Sequence, residues 1–188
     1  MAIETHDRGE VTVMARVSTK ENKNIYHKTR EALHLTRESA SELLEFIAPE
    51  RIERIENERC FPHPEEVLMM ARQYKQPDLC NYYCANQCPI GQQYVPEVKI
   101  KDLSQIVLEM LASLNAMNKR KDRLIEITAD GMISDDELTD FIFIQQELER
   151  ISITVETLQL WAERMLATGA IDAQQYHMCK ERLDKSKN

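Results

Sequence analysis

Aromatic side chains make up only 6% of the 188 residues, and there are only four glycines. Sheets usually need more of both, so the shortage favours helices. No apolar run approaches the roughly 18 residues that a membrane-spanning helix needs. The N-terminal stretch MAIETHDRGEVTVMARVS lacks an apolar signal core, and a cytoplasmic, non-membrane protein is expected. The chain also lacks an excess of positive charge. Its 24 Lys and Arg are outnumbered by 32 Asp and Glu, for a net charge of −8. A basic footprint would have pointed to nucleic acid, and this balance does not. No nucleophile–base arrangement, phosphate-cradling glycine loop or His-Glu-x-x-His motif occurs, and the five histidines are scattered. The expectation is a protein that is not an enzyme and needs no cofactor.

What is present is helical punctuation. Hydrophobic residues at 43% and charged residues at 30% suit a globular chain with one good core or two small domains. Residues 1–23 read as an arm, with Val11, Val13 and Val17 as a short strand or a flexible segment. From Asn24 short helices follow sharp breaks. The first spans about Ile25–His34. Thr36 caps a second over about Arg37–Glu45, with Ala40, Leu43 and Leu44 inward. Pro49 opens a third, which buries Ile52 and Ile55. Pro64 opens a fourth, with Val67, Leu68, Ala71 and Tyr74 at helical spacing, and Pro77 opens a fifth. Cys88-Pro89-Ile90-Gly91 ends this 24–91 block, and residues 92–100 read as a linker.

Residues 101–188 change character. Leu103, Val107, Met110, Leu114, Met117 and Leu124 follow a 3-4 spacing, broken by Lys121. A second run uses Leu138, Phe141, Gln145, Leu148, Ile151, Val155, Leu158 and Met165. Ala129–Ile133 is a turn between them, and Ser134 to Glu137 a capping box. This pattern predicts an antiparallel hairpin of two long helices. Gly169 ends the second, and Asp172 caps a short last helix. Helices within 101–168 are expected to join copies of the chain in a homo-oligomer, or to receive a signal.

The order of features over residues 30–74, REALHLTRESASELLEFIAPERIERIENERCFPHPEEVLMMARQY, resembles the helix-turn-helix domain of the Xre/Cro/lambda-repressor family. Leu35-Thr36 match the Leu-Thr before helix two. Ile52 matches the Ile four residues after the helix-three cap, and Ile55-Glu56 match the second Ile and the Glu that follows it. Pro62 or Pro64 follows, and Val67 to Ala71 match the next apolar helix. The resemblance covers about a third of the chain.

It implies an all-α protein with a five-helix domain over about 24–87, ahead of the hairpin and a short C-terminal helix. It also implies a transcriptional regulator that binds double-stranded DNA. Helix three, about 48–57, would enter the major groove while helix two crosses the backbone. The positions offered to DNA are then Arg37, Glu50, Arg51 and Arg54, with Lys28 beside them.

The family's turn glycine is missing, and Ala48 stands where a Ser or Thr cap is usual. Residues 24–76 hold eight Lys and Arg against ten Glu. Glu50, Glu53 and Glu56 on helix three oppose the counterion release that drives DNA binding. The alternative is the same fold used as a module that binds a protein partner.

Cys80, Cys84 and Cys88 recur every fourth residue, which places them on one helix face. Three thiolates, with Cys60 or His63 as a fourth donor, would hold zinc or sense redox state. However, Cys-x3-Cys-x3-Cys is not the usual zinc spacing, and small buried packing residues account for the same pattern. Cys179 belongs to the last helix. Residues 126–137 resemble a calcium loop, but Glu126 and Thr128 stand at its first and third positions, which leaves too few carboxylates. The basic run Lys119–Arg123 reads as a solvated face, and Trp161 as packing. Gln145 interrupts an apolar stripe, either to set register or because it sits near solvent.

Overall fold

The computed structural model describes residues 22–129 and 131–186. The arm, with Val11, Val13 and Val17, lies outside them. The described residues form ten helices and no strand, and none of the helices is long and apolar enough to cross a membrane. The chain divides into two compact units, residues 1–62 and 63–188. The division falls inside the stretch that resembles the helix-turn-helix family.

The first unit holds α1 (Ile25–Ala32), α2 (Arg37–Leu44) and α3 (Pro49–Glu56). Each begins on a local device. The Asn24 side chain accepts the His27 N–H at 3.0 Å, and its amide donates to the Ile55 carbonyl at 2.8 Å, clipping the start of α1 to the end of α3. Thr36 Oγ1 accepts the Ser39 N–H at 3.1 Å. Pro49 starts α3, where its missing N–H costs nothing. The core consists of Tyr26, Ala40, Leu44, Ile47, Ile52 and Ile55. Leu43, expected inward, is instead exposed, because Ala40, Leu44 and Ile47 fill the inner row.

With so few glycines, left-handed helix ends fall to other residues. The N–H of His34 bonds the Glu31 carbonyl, and that of Leu35 bonds the Arg30 carbonyl. Glu58 and Arg59 repeat the paired bonds after α3, and Lys75 and Gln76 after α4 (Pro64–Gln73). This is the Schellman pattern, whose left-handed position is normally glycine. Here His34, Glu58 and Lys75 hold it, with φ of 57°, 57° and 54°.

The second unit contains α4, α5 (Asp78–Asn86), α6 (Gly91–Tyr94), α7 (Leu103–Asn118), α8 (Lys121–Ile127), α9 (Leu138–Thr168) and α10 (Ala173–Lys185). In α4 the buried row is Val67, Met70, Ala71 and Tyr74, while Leu68 is exposed. Residues 92–100 are tied to α5, where Asn81 donates to the Pro96 carbonyl at 3.1 Å and accepts the Val98 N–H at 2.8 Å.

The predicted hairpin exists, but its first arm is two helices, broken at Lys119 and Arg120. Arg120 Nη1 and Arg123 Nε hold Asp140 at 2.7 and 2.9 Å, joining the break to the start of α9. These donors keep the Asp140 carboxyl below the usual carboxylate range. Glu137 accepts both the N–H and the hydroxyl of Ser134, and α9 then begins at Leu138. Gly169, with φ of 77°, ends α9, and Asp172 caps α10.

The apolar stripes of α7 and α9 are only partly covered. Buried positions are Ile106 and Ser113 on α7, and Ile144, Glu147, Thr154, Thr157 and Leu160 on α9. From the same stripes Met110, Met117, Phe141, Ile151, Leu158 and Met165 are half-buried, while Leu103, Val107, Leu114, Leu148 and Val155 are exposed.

Candidate nucleic-acid interface

The local architecture of α2, its turn and α3 sets which side chains reach solvent. Four residues separate the helices. Glu45, at φ 57° and ψ −55°, makes the turn, and the Phe46 N–H bonds the Leu44 carbonyl at 2.6 Å. Such a three-residue turn at positive φ is strained for any residue with a Cβ. It sits in the connection from which the family's glycine is missing.

A buried ion cluster fixes the module. Glu56, on the inner side of α3, accepts Arg30 Nε at 2.5 Å and Arg30 Nη2 at 2.9 Å. Arg37 Nε adds a third bond at 2.9 Å. Arg30 Nη1 also donates to the Leu35 carbonyl, and His27 Nδ1 lies 3.9 Å from Glu56. One carboxylate thus ties all three helices together. A buried charge needs such pairing, because desolvation would otherwise outweigh its attraction to a single partner. Sequence reading missed Arg30, His27 and this role of Glu56. The available signal was the place of Glu56 four residues after Ile52, in line with the buried stripe.

Two of the five candidate positions turn their guanidinium groups to partners within the chain. Arg37 is half-buried and commits its Nε to Glu56. Arg51 Nη1 donates to Cys60 Sγ at 2.9 Å, and Nη2 donates to the Phe61 carbonyl at 3.0 Å, which folds the guanidinium back on its own chain. Glu50 and Arg54 are exposed one turn apart on α3, with Glu53 half-buried between them. Lys28 is exposed on α1. Glu56 points inward and meets two arginines, so two of the three helix-three carboxylates, not three, face outward.

The cysteines are free thiols and do not assemble a metal site. Cys80 and Cys84 lie on α5, but Cys88 lies past its end, where the Gly91 N–H approaches its sulfur at 3.5 Å. Burial pushes the Cys80 thiol up, away from the thiolate a metal needs. Among the described residues, no group of three or more His, Cys, Asp or Glu side chains could hold a metal ion. The zinc reading of Cys80, Cys84 and Cys88 therefore lacks its donor set. In the calcium-like segment, Glu126 pairs with Arg123 at 3.2 Å and Glu137 is taken by Ser134, so its first and last carboxylates serve the chain itself.

No family model, no curated protein and no solved structure matches the chain.

Proposed function

We propose that the protein is a non-enzymatic, cytoplasmic regulator that binds duplex DNA through its α2–turn–α3 module. The observation that carries this reading is the Arg30–Glu56–Arg37 cluster. It locks two short helices across a four-residue turn and leaves the Glu50–Arg54 side of α3 in solvent. A rigid, outward-facing second helix is what entry into a major groove requires. Arg54 is the base- or phosphate-contacting side chain, while Arg37, at the N-terminus of α2, keeps its terminal amino groups for the phosphate backbone. Arg51 supports the loop at Cys60 and Phe61.

The second reading, a module that binds a protein partner, is favoured by Glu50 and Glu53 beside Arg54, which make the exposed side of α3 net acidic. One experiment separates the two. The purified chain is titrated onto random-sequence duplex DNA across a salt series, beside Arg54→Ala and Glu53→Gln. The DNA reading expects affinity that falls with salt, drops about tenfold in Arg54→Ala and rises in Glu53→Gln. Absence of binding at low salt overturns it in favour of the protein partner.

A further inference from the structure

The α7–α9 hairpin turns an uncharged apolar face outward, and we propose that this face is covered by a second copy of the chain. The two copies would pair isologously into a layer of four helices. The inference stands on the hairpin alone and does not depend on what α3 binds.

On α7 the face is formed by Leu103, Val107, Leu111 and Leu114, and on α9 by Leu148 and Val155. All six are between 39% and 51% exposed. At about 100° per residue, the α7 group lies roughly 100° round from Ile106 and Ser113, which are buried in the seam. The α9 group lies a similar angle round from Glu147 and Thr154, in the same rotational sense. Arg120 meets Asp140, and Ser113 lies with Ile153 and Thr154, so the helices run antiparallel. Equal rotations on antiparallel neighbours bring both groups to the same side of the pair. The opposite side carries a cavity of about 300 Å³, lined by Glu109, Ala112, Ser113, Arg150, Ile153 and Thr154. The segment Gln92–Pro96 lies against the outer flank of α9, beside Glu149, Ser152 and Glu156.

Two properties select a second copy as the occupant. The first is area. The exposed parts of the six side chains sum to on the order of 450 Å², within the range where a monomer's largest apolar patch marks function. It is also close to the apolar share of the roughly 800 Å² that each partner of a standard interface buries. The second is charge. A chain of net charge −8 repels its own copies, so self-association needs a surface free of carboxylates. Glu109 is the only charged residue of α7, and it lies off this face, held by Lys101 at 2.7 and 2.8 Å. On α9 the exposed Leu148 and Val155 are flanked along the 3-4 spacing by the uncharged, half-buried Phe141, Ile151 and Leu158. A two-fold axis through such a face sets Leu and Val against Leu and Val, with no like charges opposed.

The test is the mass of the full chain in solution, by sedimentation or light scattering, from about 1 to about 100 µM, the range that brackets a micromolar association. The wild type is expected to reach the mass of two chains. Leu114→Glu/Leu148→Glu is expected to stay at one chain over the same range, with an unchanged helical circular dichroism spectrum, because both side chains already face solvent. Leu108→Glu, on the far flank of α7 and 67% exposed, is expected to dimerise like the wild type. A wild type of single-chain mass throughout overturns the proposal. So does a Leu114→Glu/Leu148→Glu variant that keeps the mass of two.

Discussion

Glu56 shows how much one side chain decides. As a carboxylate on a DNA-reading helix it would oppose binding; as the inner anchor of Arg30 and Arg37 it builds the module. Glu56→Ala leaves a buried guanidinium without its counter-charge. It is expected to cost about 3–5 kcal/mol in a urea melt of the chain. The left-handed residues work in the other direction. His34, Glu58 and Lys75 pay the Cβ penalty of φ near +55° at three successive Schellman ends. Glu58→Gly removes that penalty at an exposed site and is expected to raise the urea midpoint by a stability gain of roughly 0.5–1 kcal/mol, net of the added chain entropy. These positions could not be read from the sequence, since glycine is the residue that marks a left-handed end and only four glycines occur.

At the scale of elements, helix starts were legible and faces were not. Thr36, Pro49, Pro64, Asp172 and the Ser134–Glu137 pair each act where the residue pattern places them, because a cap is a bond between near neighbours in the chain. Which side of α7 meets α9 depends on residues some forty positions away. The 3-4 spacing of Leu103 to Met117 gave a stripe, of which Met110 and Met117 are half-buried while Leu103, Val107 and Leu114 stay exposed. Ser113 and Thr154 are buried together instead, and Thr154 and Thr157 return their hydroxyls to the Arg150 and Ile153 carbonyls at 2.7 Å. A Cβ on Gly91 would stand 2.1 Å from the Cys84 carbonyl oxygen, so α6 meets α5 through bare backbone. Gly91→Ala is therefore expected to lower the thermal midpoint by several degrees, and an unchanged melt would show that the contact yields. At the other end of the hairpin, the carboxyl of Asp140 is depressed by Arg123 and Arg120. Its contribution is present above the ordinary carboxylate range and is lost as pH falls through its lower folded value. Carbon-detected NMR titration of Asp140 should show that depressed midpoint, and Arg123→Ala should bring it back toward normal.

For the whole molecule, the helical class followed from composition and periodicity, both properties of neighbouring residues. So did the succession of short helices before long ones, and the points at which most of them begin. The candidate site was legible only as a segment. Residues 48–57 were placed as a helix and Arg54 as an exposed cation. The diversion of Arg51 to Cys60 and Phe61, and of Arg37 to Glu56, follows from three-dimensional neighbours that no spacing rule names. The same holds for the cysteines, whose regular interval did not bring a donor set together. By itself the sequence determined what forms helices and where they start, because those choices are settled by bonds within a few residues. Only the tertiary structure decided which faces are buried, which charges are cancelled and which apolar stripe is left exposed, because burial is settled by elements distant in the chain competing for the same surface.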